Sequence, residues 1–138
     1  MRWILFIGAA VAVVVVVVAV IGAMLPKAHS ASRTARIALP PDALHALILR
    51  KIAEPQEYPL RIERDEPPSL IVTRIVGKNL PFGGTWTYRI APAPDGSDLT
   101  IVEDGEVYNP VFRFMSRFVI GHYATIDAFL KALESRAS

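Results

Sequence analysis

The sequence predicts an α+β fold in which a curved antiparallel sheet packs against a long helix near the carboxyl terminus. Apolar and polar residues alternate over 84–91 and again over 98–108, as they do in strands with one buried face. After Asn109-Pro110 the apolar residues recur at helical spacing instead. This change of period indicates that a sheet is followed by a helix that lies across it.

The first part of the chain is strongly apolar. Residues 3–25 contain no charged residue and no proline, and Pro26-Lys27 ends the run. A helix of this length spans about 34 Å, enough for the ~30 Å hydrocarbon layer of a bilayer. The alternative is a cleaved signal sequence, but its apolar region is usually only about 7–15 residues long, and no convincing small-x-small cleavage motif follows here. We therefore predict one N-terminal transmembrane helix, an anchor at residues 1–26.

Charge and composition narrow the classes of function. The formal net charge is +2, and Lys and Arg are interleaved with Asp and Glu, so the sequence predicts no nucleic-acid interface. No cysteine is present, which excludes a disulfide framework and suits the cytoplasm. Lys27, Arg33 and Arg36 follow the anchor, whereas Arg2 precedes it. This slight excess predicts a cytoplasmic domain under the positive-inside rule.

The rest of the chain divides into a linker at residues 27–32 and a domain at residues 33–138. In this domain we predict a strand at 33–39, a short helix at 42–52, and a hairpin of strands at 58–64 and 69–76. Asp95-Gly96 joins the last two strands into a second hairpin. The domain is therefore predicted to contain about five strands.

The last predicted element is one continuous helix from Pro110 to about Glu134. Asn109 is a good N-cap, and proline suits the first helical position. Arg113 and Arg117 lie one turn apart and are expected on a solvated face. The residues expected to face the sheet are Val111, Met115, Phe118, Ile126, Phe129 and Leu133.

Three stretches of this sequence resemble a known family. They are 83–90 (GGTWTYRI), 99–110 with its DGEVYNP end, and 112–115 (FRFM). The chain resembles the polyketide cyclase/dehydrase and START-like (SRPBCC, helix-grip) superfamily, especially its membrane-anchored bacterial members. The resemblance implies a curved sheet wrapped around a C-terminal helix with a cavity for a lipid or other apolar molecule. It also implies localisation in the bacterial inner membrane.

The chain departs from the family pattern in one respect. Family members usually have a further helix and two further strands before the segment that matches 60–76. Only residues 52–59 fill that space here. The sheet is therefore expected to have five strands instead of seven and to enclose less volume.

Six residues are candidates for ligand binding between sheet and helix: Trp86, Tyr88, Glu103, Phe114, Phe118 and His122. The aromatic residues could line a pocket or close it. Alternation turns Glu103 inward, where a charge is costly without a partner. An irregularity near Asp104-Gly105 could turn Glu103 outward, an Arg or His could pair with it, or it could contact a ligand, and we rank these in that order.

No constellation for catalysis stands out. His122 and Glu103 are the only candidates for acid-base work, and His122 is more simply explained as a core histidine. His29 is expected in the linker beside the membrane, and His45 as a partly buried space-filling residue. No two histidines have i, i+4 spacing, so the sequence predicts no metal site and no cofactor.

These observations support three hypotheses for function. The first is a membrane-anchored domain that binds a hydrophobic small molecule or lipid, with the bilayer as its other partner. The second is a non-catalytic, membrane-tethered interaction domain with a closed core. The third is an enzyme of the cyclase or dehydrase type that uses His122 and Glu103.

Overall fold

A computed structural model describes residues 1–137, and Ser138, the last residue of the predicted domain, lies outside them. The prediction of an α+β fold with five antiparallel strands is confirmed. The elements, in chain order, are α1 (Arg2–Met24), β1 (Ala28–Ile37), α2 (Pro41–Ile52), β2 (Leu60–Glu66), β3 (Leu70–Ile75), β4 (Phe82–Ala93), β5 (Gly96–Val107), α3 (Pro110–Met115), a π-helical turn (Ser116–Ile120) and α4 (Ala124–Ala137).

The sheet has the strand order β1-β5-β4-β3-β2, and every neighbouring pair is antiparallel. Strands β4 and β5 form its centre and pair without interruption from Phe82 opposite Val107 to Ala93 opposite Gly96. The predicted turn at Asp95-Gly96 joins them, and Asp95 adopts the positive φ of 61° that such turns require.

The core lies between one face of the sheet and helices α2 and α4. The predicted inward orientation of Trp86, Tyr88 and Ile90 on β4 is confirmed, since Tyr88 and Ile90 are buried and Trp86 packs against the core. From the helices, Leu44 and Ile48 of α2 and the apolar face of α4 complete it. The α4 residues buried there are Ile126, Leu130 and Leu133.

The prediction of a single continuous helix from Pro110 to Glu134 is wrong. Helix α3 ends at Met115, a π-helical turn follows, and Gly121 breaks the chain before α4. Gly121 has φ of +82°, which glycine adopts at little cost because it has no Cβ. The predicted N-cap is confirmed, because the Asn109 side chain accepts hydrogen bonds from the amides of Val111 and Phe112 at 2.8 and 3.3 Å.

The segment predicted as a linker, residues 27–32, belongs almost wholly to β1. This strand pairs with β5 from Ala28 opposite Glu106 to Ile37 opposite Ser97. The small polar residues join the sheet because the long strand β5 offers a row of unpaired backbone groups along its free edge. Lys27 continues the pairing, since its carbonyl accepts a hydrogen bond from the Val107 amide at 2.9 Å.

Helix α1 is long and apolar enough to cross a membrane, and its apolar span is not buried within the described chain. Its C-terminal end is fixed to α3. A Cβ placed on Gly22 would lie 1.8 Å from the carbonyl oxygen of Pro110, so only glycine permits this approach of the two backbones. The two helices therefore meet in direct backbone contact.

Arg113 strengthens this junction and does not lie on a solvated face as predicted. Its side chain is buried, and its guanidinium donates hydrogen bonds to the carbonyls of Gly22 at 2.9 Å and Leu25 at 3.2 Å in the last turn of α1. It also donates to the carbonyls of Val107 and Tyr108 at 3.0 Å each. One side chain thus satisfies carbonyls at the end of α1 and at the end of β5.

Candidate functional site

Two cavities lie between the sheet and the C-terminal segments. The larger, which we call the histidine cavity, has a volume of about 390 Å³ and is bordered by His29, Glu103 and His122 at its polar end. The smaller, the α4 cavity, has a volume of about 230 Å³ and lies beside Phe129. Trp86 borders both. The apolar walls of the histidine cavity include Ile75, Phe82, Trp86, Phe112 and Ile120.

Glu103 points inward and is paired with a histidine. Strand β5 shows no register shift against β1 or β4 at this position, so the irregularity that we ranked first is absent. The Nε2 atom of His29 lies 3.0 Å from Oε1 of Glu103, where the imidazole N–H donates to the carboxylate. The second of the three interpretations, pairing with an Arg or His, is therefore correct. This partner offsets much of the cost of a carboxylate on an inner face.

Gly105 provides the space for this pair. It lies opposite His29 in the pairing of β1 with β5, on the same face as Glu103. A Cβ on Gly105 would lie 2.6 Å from Cε1 of His29 and 3.2 Å from Oε1 of Glu103. The absent side chain lets the imidazole ring lie over the strand and reach the carboxylate.

His122 completes the polar end of the histidine cavity. It follows Gly121 at the break before α4, and its ring stacks on that of His29 with 4.2 Å between centroids. Burial lowers the pKa of His122, and the electrostatic effects of nearby His29 and Arg117 lower it further, against the opposing effect of Glu103. The neutral imidazole is therefore favoured at this position.

Tyr58 is a further polar residue that borders the histidine cavity. Burial raises the pKa of the Tyr58 hydroxyl, and the negative charges of Glu103 and Glu57 raise it further. Tyr58 therefore remains a neutral phenol that can donate or accept a hydrogen bond. It borders both cavities, as Trp86 does.

Three aromatic rings pack against one another beside the cavities. Phe129 of α4 contacts Trp86 edge to face at 5.7 Å between centroids and Tyr88 at 5.5 Å. Tyr88 is buried and borders the α4 cavity only, and burial raises the pKa of its hydroxyl. Of the predicted aromatic lining, Trp86 and Tyr88 thus lie at the cavities.

The other two predicted aromatic residues lie elsewhere. Phe114 and Phe118 pack against each other at 5.0 Å between centroids, and neither borders the two cavities that the described residues form. Phe118 is 59% exposed. The prediction that Phe118 faces the sheet assumed a continuous helix, and the π-helical turn that contains Phe118 changes the direction in which its side chain points.

Sequence reasoning missed several residues of the histidine cavity. His29 was placed in a linker, although it occupies an inner position of β1, and Phe112 and Ile120 were not considered as lining residues. One signal was present in the sequence. His29 and Ala31 continue the alternation of the predicted first strand toward the amino terminus, but residues as small as alanine and serine make that pattern weak.

His45 has a structural role distant from both cavities. It is 7% exposed, and its Nε2–H donates to Oδ1 of Asp65 at 2.6 Å, which connects α2 to the edge strand β2. It is thus fully buried and hydrogen-bonded, more than a space-filling residue. Within residues 1–137, no group of three or more His, Cys, Asp or Glu side chains is arranged to hold a metal ion.

Comparison with known proteins identifies the fold. No family model matches the chain, and no curated protein sequence matches it. Solved structures do match the chain. Protein MLL2253 from Mesorhizobium loti superposes with a TM-score of 0.58 at 13% identity, over 78% of this chain and 95% of that protein. Norcoclaurine synthase from Thalictrum flavum, a point mutant in complex with a transition-state analogue, gives a TM-score of 0.56 at 9% identity, over 80% and 94% of the two chains.

This chain has the helix-grip fold. The di-domain ARO/CYC StfQ of the steffimycin biosynthetic pathway matches as well, with a TM-score of 0.54 at 14% identity, over 80% of this chain and 51% of that one. At these identities the similarity establishes the fold, and it does not transfer a ligand or a reaction. The resemblance to the START-like superfamily that the sequence suggested is confirmed at the level of this helix-grip architecture.

Proposed function

We propose that the chain is a single-pass membrane protein whose helix-grip domain binds a hydrophobic small molecule or lipid in the histidine cavity. One observation carries the proposal. A partly open cavity of about 390 Å³ joins apolar walls to the hydrogen-bonded pair of His29 and Glu103. Small-molecule sites typically measure about 300–1,000 Å³ and combine apolar lining with a few polar groups that orient the ligand.

The lining suggests how such a ligand is held. Its apolar body lies against Phe82, Trp86 and Phe112, and its polar group points toward Glu103 and His122. Because the neutral form of His122 is favoured, the polar groups here are the Glu103 carboxylate paired with His29 and a neutral imidazole, and Glu57 and Glu106 also border the cavity. A ligand hydroxyl or carbonyl suits these groups better than a second anion, which Glu103 would repel.

The anchor is α1, with the cytoplasmic side of a bacterial inner membrane as the location of the domain. The basic residues Lys27, Arg33 and Arg36 after the apolar run support this orientation. The chain contains no cysteine, so an Asp95→Cys variant carries a single thiol at the tip of the β4–β5 hairpin. A membrane-impermeant thiol reagent should label this variant only after the cells are permeabilised, and labelling of intact cells would reverse the orientation.

Photo-crosslinking tests ligand binding directly. The full chain is incorporated into phosphatidylcholine vesicles that contain hexadecanol with a diazirine in its alkyl chain, a probe with a neutral hydroxyl, and adducts are mapped by mass spectrometry after illumination. We expect adducts on Phe82 or Trp86 in addition to those on α1. Adducts confined to α1 would contradict the proposal.

A pair of matched variants tests whether the adducts form in the cavity. Thr125 on α4 borders both cavities, so Thr125→Phe places a ring in the space that the ligand would occupy. Glu134 is exposed on the same helix and borders neither cavity, so Glu134→Phe is the control. Thr125→Phe should reduce the adducts on β4 several-fold without reducing those on α1, and Glu134→Phe should change neither.

A second candidate function is an enzyme of the cyclase or dehydrase type. It is favoured by the hydrogen-bonded pair of His29 and Glu103 in a cavity, with the ring of His122 stacked on that of His29. When the Nε2–H of His29 donates to Glu103, the lone pair of the neutral ring lies on Nδ1, where it can accept a proton from a substrate. The helix-grip proteins StfQ and norcoclaurine synthase carry names of biosynthetic enzymes, which supports this alternative by analogy only.

The enzyme hypothesis predicts a measurable chemical change. A lipid extract of the host membrane is incubated with the wild-type protein, with Glu103→Gln and with His122→Ala, and is compared by mass spectrometry. Dehydration would produce species lighter by one water molecule with the wild-type protein and not with Glu103→Gln. If the His122→Ala variant produces the same species as the wild type, His122 has no part in the reaction.

The third hypothesis, an interaction domain with a closed core, has the least support. A collapsed pocket would leave the aromatic residues in mutual contact with no space between sheet and helix. Two cavities of about 390 and 230 Å³ lie there instead. A tightly packed domain is therefore harder to reconcile with this geometry than a ligand-binding one.

A further inference from the structure

Helix α3 and the segment after it expose an unusually apolar surface, which we call the interfacial patch. It consists of Val111, Phe112, Phe118, Val119, Ile120 and Tyr123, whose exposed fractions range from 39% to 63%. Single apolar residues on a surface need no explanation, but six in one short segment are a contiguous patch of the kind that marks a binding surface. The question is what covers it.

The contact between α1 and α3 sets the position of the patch relative to a bilayer. Gly22, whose backbone touches Pro110, lies inside the uncharged run of residues 3–25. Because Arg113 also fixes the end of α1 to α3, the patch begins beside the last turn of α1. If α1 spans a membrane, this turn lies where the hydrocarbon layer meets the headgroups. The patch is therefore continuous with the apolar surface of α1, which requires a lipid environment.

The charges around the patch favour the same partner. Between Tyr108 and Ile126 there is no acidic residue, and the charged residues are Arg113 and Arg117. Arg113 is buried in the junction with α1, and Arg117 is exposed. At the edge of the patch the guanidinium of Arg33 lies over the ring of Tyr123, 4.0 Å from its centroid, and it also forms an exposed ion pair with Asp127 at 3.2 Å. Basic and aromatic residues around an apolar surface are typical of segments that lie at an anionic membrane surface.

The patch and the histidine cavity share residues. Phe112 and Ile120 belong to the patch and also border the cavity, together with Ser116 and Gly121 of the same segment. These residues separate the inside of the cavity from the surface that the patch forms. The patch therefore forms part of the cavity wall, and if the cavity opens through this segment, its mouth lies at the patch.

We propose that the interfacial patch is embedded in the leaflet that receives the C-terminal end of α1, and that the histidine cavity takes its ligand laterally from the lipid. The ligand class is a membrane-resident amphiphile with an apolar body and a neutral polar group. This inference rests on the proposed function, because it requires α1 to be membrane-inserted and the cavity to be the binding site. It adds the partner of the patch and the route of entry.

Fluorescence quenching tests the position of the patch. The full chain with Val119→Cys carries a nitrobenzoxadiazole label in vesicles of phosphatidylcholine and phosphatidylglycerol, and the quencher is phosphatidylcholine with a nitroxide on its acyl chain. Val13→Cys in α1 is the lipid-exposed reference, and Ile62→Cys on the edge strand β2 is the aqueous one. We expect quenching at Val119 to approach that at Val13. Quenching at Val119 no stronger than at Ile62 would overturn the proposal.

A charge on the patch tests the route of entry. Val119 is 63% exposed and borders neither cavity, so Val119→Lys alters the patch and leaves the binding site intact. Ile62→Lys, at another exposed apolar position, is the matched control. With the diazirine hexadecanol dissolved in the vesicles, Val119→Lys should slow the formation of cavity adducts on the order of tenfold, since lysine is strongly disfavoured in the hydrocarbon region. An unchanged rate would overturn lateral entry.

The same probe in detergent micelles separates the two proposals. There the probe reaches the cavity without passing through a bilayer, so the Val119→Lys variant should form adducts as fast as the wild type. Cavity adducts combined with an aqueous label at Val119 would refute lateral entry and leave ligand binding intact. A lipid-exposed label at Val119 without cavity adducts in vesicles or micelles would refute ligand binding itself.

Discussion

His29 and Glu103 are joined by a hydrogen bond of 3.0 Å across the pairing of β1 with β5, although 74 positions separate them in the chain. The carboxylate lies on the inner face of the sheet, where an unpaired charge would be costly. The histidine reaches it only because Gly105 has no side chain. The polar end of the histidine cavity therefore depends on these three positions together, and we expect them to respond to substitution as a unit.

The first prediction concerns Gly105. In Gly105→Ala the new Cβ would lie 2.6 Å from Cε1 of His29, so the ring must move and its hydrogen bond with Glu103 must break. We expect the free energy of unfolding in detergent to fall by about 1–3 kcal/mol, the usual cost of overpacking. Gly8→Ala is the control, because nothing lies within 4 Å of a Cβ at that position. Equal stability of the two variants would contradict this account of Gly105.

The second prediction concerns the buried histidine of α2. In Asp65→Ala the Nε2–H of His45 loses its acceptor while the imidazole stays buried. We expect a loss of about 1–3 kcal/mol in chemical denaturation, the cost of a buried polar group without a partner. In the adjacent control, Glu66→Ala, the lost ion pair with Arg64 is exposed, so the loss should stay below about 1 kcal/mol. A larger effect at Glu66 would contradict the prediction.

The third prediction concerns the junction between α1 and the domain. Lysine in place of Arg113 keeps the charge but not the planar fork that donates to four backbone carbonyls. We expect Arg113→Lys to free α1, which should broaden the distance distribution between spin labels at Val13→Cys and Asp95→Cys. The free energy of unfolding should also fall by about 2–3 kcal/mol.

Arg117→Lys is the matched control for this third prediction, because Arg117 lies one turn later and is exposed. Its spin-label distribution should stay as narrow as that of the wild type. A narrow distribution in Arg113→Lys as well would mean that the backbone contact of Gly22 with Pro110 holds the junction without the guanidinium.

The fourth prediction concerns pH. Burial, His29 and Arg117 lower the pKa of His122 in the folded state, and Glu103 opposes them. Between this lowered value and the ordinary value of 6.5, the unfolded chain binds more protons at this position than the folded one. The contribution of His122 to stability is therefore complete above pH 6.5 and is lost as the pH falls toward the folded-state pKa.

The measurement for this fourth prediction is the melting temperature as a function of pH for the wild type and for His122→Gln. The melting temperature of the wild type should fall more steeply below pH 6.5 than that of the variant, which has no proton to gain at this position. Parallel curves would show that His122 titrates alike in the folded and unfolded states.

Periodicity was sufficient to predict the sheet. The alternation around Trp86, Tyr88 and Ile90 identified the buried face of β4, and the turn at Asp95-Gly96 fixed its pairing with β5. These features are local, because successive side chains of a strand must alternate between its faces. The count of five strands also followed from local patterns and breakers.

The site was harder to predict because it depends on breaks in the regular pattern. Phe118, His122 and Ile126 are spaced as in one helix, and the sequence gives no clear sign of the π-helical turn that interrupts it. That turn removes Phe118 from the cavity. His29 lies in the site because β1 pairs with β5, a strand distant in the sequence. Local periodicity does not reveal contacts of this kind.

The junction at Gly22 and Arg113 couples the orientation of the proposed anchor to that of the domain. A membrane helix adjusts to a thicker or thinner bilayer mainly by changing its tilt. With its end bound to α3 and β5, α1 cannot tilt independently of the sheet, so a change of bilayer thickness would rotate the whole helix-grip domain with it. Bilayer thickness would then determine how deeply the cavity mouth is immersed.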